Sequence, residues 1–259
     1  MSLPLEGRTA LVTGVSRRRG IGYAVAARLA SMGASLALHQ HLPHDVQEYG
    51  AADDPDELLA AIRDRQAPGA EAVVLDGDLA EPELPAQLVA RAAGRLGHLD
   101  ILVCNHAHGG DEVDLAGLTA ASLDRHWAVN ARATLLLTRA FAEQHDGRPG
   151  GRVVWMTSGQ GLGPMRDNLA YATSKAALQG ATWSVADALV DQGILLNTVN
   201  PGPVNTGYLD GAPAELVARF PLGRAGEPDD PARLIAWLVS DDGGWVVGQV
   251  LSSEGGFRR

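Results

Sequence analysis

The sequence ALVTGVSRRRGIGYAVAARLA, residues 10–30, joins a short apolar run to an amphipathic helical pattern through a glycine-rich turn. The apolar run ends at Thr13, glycines follow at positions 14, 20 and 22, and helical spacing begins near the last of them. This order is typical of the first strand, turn and helix of a parallel α/β sheet.

The three glycines suit a turn that binds a phosphate group. Gly14 permits a sharp turn, Gly20 lets the backbone approach a pyrophosphate at the helix N-terminus, and Gly22 lets the helix pack closely on the strand. A turn with a purely structural role is the alternative. Arg17, Arg18 and Arg19 also place positive charge next to this turn.

Composition limits the class of protein. The chain has 259 residues, 46% of them hydrophobic, and a net charge of −10, which disfavours nucleic acid or an anionic membrane as the main partner. Cys104 is the only cysteine, so no intrachain disulfide can form. No cationic leader and no apolar stretch of about 20 residues is found, which predicts a soluble, cytoplasmic protein.

Apolar runs alternate with helical patterns along the chain. The runs are too short for helices and lack the strict alternation of half-exposed strands, which indicates strands covered on both faces. We therefore predict one domain, residues 1–259, with a doubly wound Rossmann fold: a seven-stranded parallel sheet with helices on both faces. The polar stretch 41–56 is interpreted as a long surface loop. The predicted strands are 9–13, 35–39, 72–75, 100–104, 152–156, 194–199 and 246–251.

The glycine turn resembles that of the short-chain dehydrogenase/reductase family, whose pattern is T-G-x-x-x-G-x-G. Five residues separate Gly14 from Gly20 where the family has three, so the turn should bulge outward. The resemblance runs from about Leu5 to Gly256, and the similarity to 3-ketoacyl-carrier-protein reductases is general.

The resemblance implies a dinucleotide cofactor. Arg19 holds the position of a basic residue that accompanies NADP, and the second strand ends in His39 and Gln40 rather than in the acidic residue that binds the ribose of NAD. NADP is therefore favoured, with NAD possible. Arg17 and Arg18 could equally be solvated. His39, His41 and His44 could assist the 2′-phosphate when protonated, but exposure is favoured for them. The implied cofactor-binding residues are Gly14, Ser16, Arg19, Gly20, Ile21, Gly22, His39, Asp78, Leu79, Asn105, Tyr171, Lys175, Pro201, Gly202, Val204 and Thr206.

Four residues match the family's catalytic tetrad: Asn130, Ser158, Tyr171 and Lys175. Tyr171 and Lys175 are four residues apart in a helical pattern and so share one helix face. The resemblance implies that Tyr171 exchanges a proton with the substrate oxygen and that the Lys175 ammonium lowers the pKa of this phenol. Ser158 would hydrogen-bond the substrate oxygen, Lys175 would also bond the nicotinamide ribose, and Asn130 would hold a water that relays protons.

These features predict an NADP-dependent reductase or dehydrogenase that acts on a ketone or secondary alcohol. An NAD-dependent alcohol dehydrogenase and a non-catalytic dinucleotide-sensing regulator are the alternatives. His106, His108, Asp111 and Glu112 match no metal-ligand spacing, so no metal site is predicted.

Two further expectations concern the substrate and the assembly. Residues 207–224 should form a lid over the cleft, and its apolar residues Leu209, Leu216, Val217 and Phe220 suggest a partly apolar substrate. Family membership implies a homotetramer or homodimer built through the helices that carry Asn130 and Tyr171. Trp127, Trp155 and Trp183 are expected in the core or at subunit contacts.

Overall fold

A computed structural model describes residues 3–109 and 113–259. The predicted seven-stranded parallel sheet is confirmed, with the strands in the order β3-β2-β1-β4-β5-β6-β7. The strands are β1 (Thr9–Val12), β2 (Ser35–Gln40), β3 (Ala72–Asp76), β4 (Ile101–Cys104), β5 (Gly151–Met156), β6 (Ile194–Asn200) and β7 (Val250–Ser252).

Helices cover both faces of this sheet. They are α1 (Ile21–Ser31), α2 (Leu42–Tyr49), α3 (Pro55–Arg63), α4 (Leu84–Leu96), α5 (Ala120–His126), α6 (Ala133–Gln144), α7 (Leu169–Val190), α8 (Ala214–Val217) and α9 (Asp229–Val239), with a π-helical turn at Trp127–Arg132. Local sequence explains several of the ends: Asp54 accepts hydrogen bonds from the first backbone N–H groups of α3, and Gly50 ends α2 with a φ of 76°.

The core explains why the strand sequences do not alternate. Leu36 and Ala37 are neighbours in β2 and both are fully buried, yet they pack into two different apolar clusters on opposite faces of the sheet. Because both faces of the sheet are covered, every position of a central strand can be apolar.

Two parts of the fold differ from the sequence-based prediction. The stretch 41–56 is not a continuous loop, because residues 42–49 form helix α2, whose Asp45 side chain is buried against the body of the protein. The last strand is shorter than predicted, since Gly248 adopts a φ of 69° and turns the chain before Val250. The polar composition of residues 42–49 gave no sign of a helix, and the apolar residues around Gly248 gave no sign of a turn.

The strand order fixes where a ligand can bind. From β1 the chain proceeds outward to β2 and β3, whereas β4 pairs on the other side of β1. The crevice at the carboxyl ends of β1 and β4 is therefore the topological switch point at which open α/β sheets bind ligands.

Candidate active site

The glycine turn lies at this switch point and is packed as the sequence predicted. Gly14 has a φ of 71°, and Asn105 braces the turn by donating to the carbonyls of Thr13 (3.0 Å) and Gly14 (3.1 Å). A Cβ on Gly22 would overlap the Gly14 carbonyl oxygen and stand 2.6 Å from the Asn105 amide nitrogen. Only glycine therefore lets α1 approach β1 this closely.

The N-terminus of α1 offers hydrogen-bond donors to the cleft. Gly20 precedes the helix with extended backbone, and no side chain caps the first N–H groups of the helix in the part of the chain described. Gly20 and Ile21 both line the cleft. Uncapped N–H groups at a helix N-terminus suit a phosphate, so the residues present fit the predicted dinucleotide.

Most of the predicted cofactor-binding residues meet in one cleft. Arg19, Gly22, Gly202 and Val204 do not line it: Gly22 packs behind the turn, Val204 is 2% exposed, and a Cβ on Gly202 would meet the main chain of Glu254. The predicted residues that line the cleft are Gly14, Ser16, Gly20, Ile21, His39, Asp78, Leu79, Asn105, Tyr171, Lys175, Pro201 and Thr206.

The three consecutive arginines have three different surroundings. Arg19 forms a bidentate ion pair with Asp210 on the exposed outer side of the turn, with hydrogen bonds of 2.7 and 2.8 Å. Arg18 reaches the carbonyl of Glu57, and its own N–H donates to Asp53. Arg17 alone of the three lines the cleft.

His39 is buried, so the favoured expectation that it is exposed was wrong. Its Nδ1 accepts from the Gly14 N–H (3.4 Å), which leaves Nε2–H to donate to the Gly77 carbonyl (3.0 Å). Burial lowers the pKa of His39 to about 4. The ring is therefore neutral at pH 7 and brings no positive charge to the cleft.

Asp78 carries a negative charge at the end of the cleft beside β3. Burial opposes its ionisation, but hydrogen bonds from the Ala80 N–H (2.8 Å) and from Arg125 (3.1 Å) hold the pKa of Asp78 below its usual range. Arg125 lines the cleft as well, although no sequence motif pointed to it.

Helix α2 adds two cleft residues that the sequence analysis missed. Asp45 and Tyr49 line the cleft together with His44, for which exposure was favoured, and Asp45 is only 7% exposed. The region was interpreted as a surface loop, and no motif marks these positions. The hydrophobic pair Val46 and Tyr49, three residues apart in a polar stretch, was the only signal of a helix there.

Ser158 and Tyr171 meet in the structure. Ser158 follows β5, Tyr171 lies in the first turn of α7, and the Ser158 side chain is close enough to the phenol to affect its pKa. Burial raises the pKa of Tyr171, and the nearby Ser158 hydroxyl partly opposes this rise. The phenol is therefore protonated at neutral pH.

The Lys175 ammonium lies beneath the cleft and bonds the main chain. Its Nζ donates to the Met156 carbonyl at 3.0 Å and is 5.7 Å from the ring centre of Tyr171. Burial lowers the pKa of Lys175 to about 8. The expected lowering of the Tyr171 pKa is therefore corrected: with the ammonium turned to Met156, burial dominates the phenol and raises its pKa.

Asn130 lies in the π-helical turn and is fully buried. Its Oδ1 accepts from the His108 N–H (2.7 Å), and its Nδ2 donates to the His108 carbonyl (3.0 Å) and to Ser174 Oγ (2.9 Å). The side chain thus fixes the segment after β4 against α7. The role of holding a water stays a prediction.

The histidines after β4 are engaged by the protein. His106 Nδ1 lies 2.7 Å from Thr13 Oγ1, and its Nε2 lies 3.0 Å from the Val129 carbonyl. Among residues 3–109 and 113–259, no three His, Cys, Asp or Glu side chains are grouped to hold a metal ion. Asp111 and Glu112 lie outside the described residues.

Comparison with known proteins identifies the family. A family model described as enoyl-(acyl carrier protein) reductase matches residues 14–258. A short-chain dehydrogenase/reductase from Serratia marcescens BCRC 10948 has a similar structure, with a TM-score of 0.83, 32% identity and coverage of 98% of this chain and 99% of that one. The chain belongs to the short-chain dehydrogenase/reductase family.

Relatives in this family agree on the class of reaction. An uncharacterized oxidoreductase of Bacillus subtilis (strain 168) is 37% identical over 257 residues, which is 98% of each chain. An NADPH-dependent aldehyde reductase-like protein, chloroplastic, of Arabidopsis thaliana is 31% identical over 268 residues, covering 98% of this chain and 96% of that one. The chain is thus an oxidoreductase of a family that uses NAD(P) and acts on C=O or CH–OH groups.

The described helices show no membrane span. Within residues 3–109 and 113–259, none is both long enough and apolar enough to cross a bilayer.

Proposed function

We propose that this chain is an NADPH-dependent carbonyl reductase in which Tyr171 protonates the substrate oxygen. The observation that carries the proposal is that the Ser158 side chain lies close to the phenol of the half-buried Tyr171, with the Lys175 ammonium 5.7 Å from the centre of the same ring. A carbonyl oxygen placed between the two hydroxyl groups would be held by both. When bound, the nicotinamide would supply the hydride.

The protonation states favour reduction. At pH 7 the phenol of Tyr171 carries its proton, because burial raises its pKa, and it can therefore act as the acid. Lys175 is still protonated at this pH, and its ammonium would stabilise the phenolate that remains after proton transfer if it turned from the Met156 carbonyl towards Tyr171. Ser158 would hold the oxygen in line with the phenol.

NADPH is proposed over NADH because β2 ends without a carboxylate and Arg19 precedes Gly20. The name of the Arabidopsis thaliana relative supports this preference. Arg19 is bound to Asp210 on the surface, but exposed ion pairs contribute little stability, so a 2′-phosphate could replace that carboxylate. We expect Arg19→Ala to weaken NADPH binding much more than NADH binding. Equal effects on the two would contradict the assignment.

One observation favours the NAD-dependent alternative. Asp45 lines the cleft and has no ion-pair partner among the described residues, and a carboxylate there could accept bonds from ribose hydroxyls while repelling a 2′-phosphate. Asp45→Asn separates the two cases. If NADH is the cofactor, the substitution should weaken NADH binding; if NADPH is the cofactor, NADPH binding should be kept or improved.

The substrate is proposed to be a small carbonyl compound with an apolar part. In the segment 207–224, Leu209 and Leu216 are partly buried and Val217 is 40% exposed, which leaves apolar surface beside the cleft. Phe220 differs from the expectation, since it is 6% exposed and packs on Phe257 with ring centres 4.8 Å apart. It therefore anchors the segment rather than facing a substrate.

A panel of aldehydes and ketones offered with NADPH tests the proposed activity. We expect NADPH oxidation by the wild type and none by Tyr171→Phe, with cofactor binding unchanged in the variant. If both proteins bind NADPH and neither oxidises it with any member of the panel, a dinucleotide-sensing role replaces the enzymatic one.

We also propose a single domain over residues 1–259, a cytoplasmic location, and a homotetramer or homodimer. Trp155 is buried in the core, whereas Trp127 and Trp183 are 47% and 66% exposed. These two exposed rings lie on the π-helical turn that carries Asn130 and on α7, which supports assembly through these elements. Light scattering of the purified protein tests this, and a monomer at micromolar concentration would contradict it.

A further inference from the structure

We propose that Arg17 binds the diphosphate group of the dinucleotide and that Tyr49 of helix α2 holds its guanidinium in the cleft. The inference rests on the proposed dinucleotide cofactor but not on the carbonyl chemistry. It also assigns to Arg17 a role different from that of Arg19, which is proposed to meet the 2′-phosphate.

Charge pairing distinguishes Arg17 from its neighbours. Arg18 lies 3.6 Å from the Glu57 carboxylate, and Arg19 is bonded through both terminal nitrogens to Asp210. Within the described residues, the Arg17 guanidinium makes no ion pair. It donates instead to the Thr206 carbonyl at 2.7 Å. A guanidinium has five N–H donors, so this bond leaves donors for an anion.

The position of Arg17 matches the middle of the cofactor. Its side chain lines the same cleft as Gly20 and Ile21, whose N–H groups begin α1, and it crosses to Thr206 in the loop after β6. Asp78 marks one end of the cleft and Tyr171 the other. A diphosphate at the N-terminus of α1 would therefore lie next to this guanidinium, which can bind phosphate oxygens in a bidentate manner.

Helix α2 supplies the support for this side chain. The Arg17 guanidinium carbon lies 3.6 Å from the ring centre of Tyr49, at the last position of α2. Such a stack fixes an arginine through cation–π attraction and leaves its N–H groups free at the edge. The ring therefore reduces the entropy that Arg17 would lose when it binds an anion.

The other cations of the cleft are already engaged by the protein. Among the described residues that line it, Arg125 is bonded to Asp78 and Lys175 donates to the Met156 carbonyl, whereas Asp45 adds a further carboxylate. Arg17 therefore supplies the positive charge that is available to a dianion at the N-terminus of α1, in a chain whose net charge is −10.

Titration of cofactor fluorescence tests the inference. We expect Arg17→Ala to raise the dissociation constants of NADPH and NADH by a similar factor, about tenfold or more, because both contain the diphosphate. Arg18→Ala is the matched control, and we expect it to change both constants less than about twofold. Thermal melting of each variant without cofactor checks that it is folded.

A second pair of variants tests the role of the ring. Tyr49→Phe keeps the aromatic face and should bind both cofactors as the wild type does, whereas Tyr49→Ala should weaken both by about threefold or more. If the two substitutions have the same effect, the stack does not position Arg17.

The outcomes separate this inference from the proposed function. Unchanged binding of both cofactors to folded Arg17→Ala would overturn it, and so would a loss confined to NADPH, which would place the guanidinium at the 2′-phosphate. A wild type that binds the cofactors but reduces no carbonyl compound would remove the proposed function, while the titrations still test Arg17. A wild type that binds neither cofactor would overturn both.

Discussion

The side chain of Ser158 lies close to the phenol of Tyr171, although Ser158 follows β5 and Tyr171 lies on α7. The carboxyl end of a parallel strand and the first turn of the following long helix bring the two groups together. Burial raises the pKa of the phenol and keeps it protonated at neutral pH, which is the state that the proposed role of Tyr171 as an acid requires.

Lys175 should matter for activity and little for folding. It is 2% exposed, and an isolated buried ammonium contributes little net stability because its desolvation offsets its hydrogen bond to Met156. We expect Lys175→Met to lower kcat by about 100-fold, which is the typical loss when one group that stabilises charge at a reacting oxygen is removed. The melting temperature should stay within a few degrees of the wild type. Wild-type turnover in this variant would exclude Lys175 from the chemistry.

Two glycine substitutions test the packing of the turn. Gly22→Ala places a Cβ against the Gly14 carbonyl and the Asn105 amide, and we expect it to lower the free energy of unfolding by about 1–3 kcal/mol. Gly94→Ala is the control, because a Cβ there meets nothing within 4 Å in the interior of α4. It should raise stability by about 0.5–1 kcal/mol. Urea denaturation measures both, and equal effects would contradict the close approach of α1 to β1.

His39 predicts a specific response to acid. Its pKa is about 4 in the folded protein and 6.5 in the unfolded chain, so the unfolded state binds more protons between these values. The contribution of the neutral ring to the free energy of unfolding is fully present above pH 6.5. As the pH falls towards 4, about 3 kcal/mol of it is lost.

The control for this prediction is His39→Gln, which retains an acceptor and a donor but does not titrate. Urea denaturation at several pH values should show the wild type losing more stability than the variant between pH 6.5 and 4. Parallel curves for the two proteins would mean that His39 is not held neutral by the fold.

The sheet and the common helix of Tyr171 and Lys175 could be predicted because they follow from local patterns. Apolar runs covered on both faces define strands, and the spacing of Tyr171 and Lys175 places both on one helix face. The glycine turn could be located for the same reason. Gly14 has a positive φ and Gly22 leaves no room for a Cβ, so only glycine suits these two positions.

What the sequence did not reveal depends on tertiary contacts. Arg17, Arg18 and Arg19 are consecutive, but their partners come from segments far away in the sequence. These partners are Thr206, Glu57 and Asp210, respectively. Helix α2 is polar and short, and its Tyr49 packs on Arg17 rather than on the core. The pKa of Tyr171 likewise depends on burial, which cannot be predicted from the spacing of residues in the sequence.

Single-turnover reduction by Tyr171→Phe tests the central claim most directly. The variant and the wild type are each saturated with NADPH, at concentrations set by dissociation constants measured on the same preparations, and mixed with a carbonyl substrate that the wild type reduces. If Tyr171 is the proton donor, the variant binds NADPH as the wild type does and its rate of NADPH oxidation falls by at least about 100-fold. A variant that oxidises NADPH at the wild-type rate would show that another group protonates the substrate.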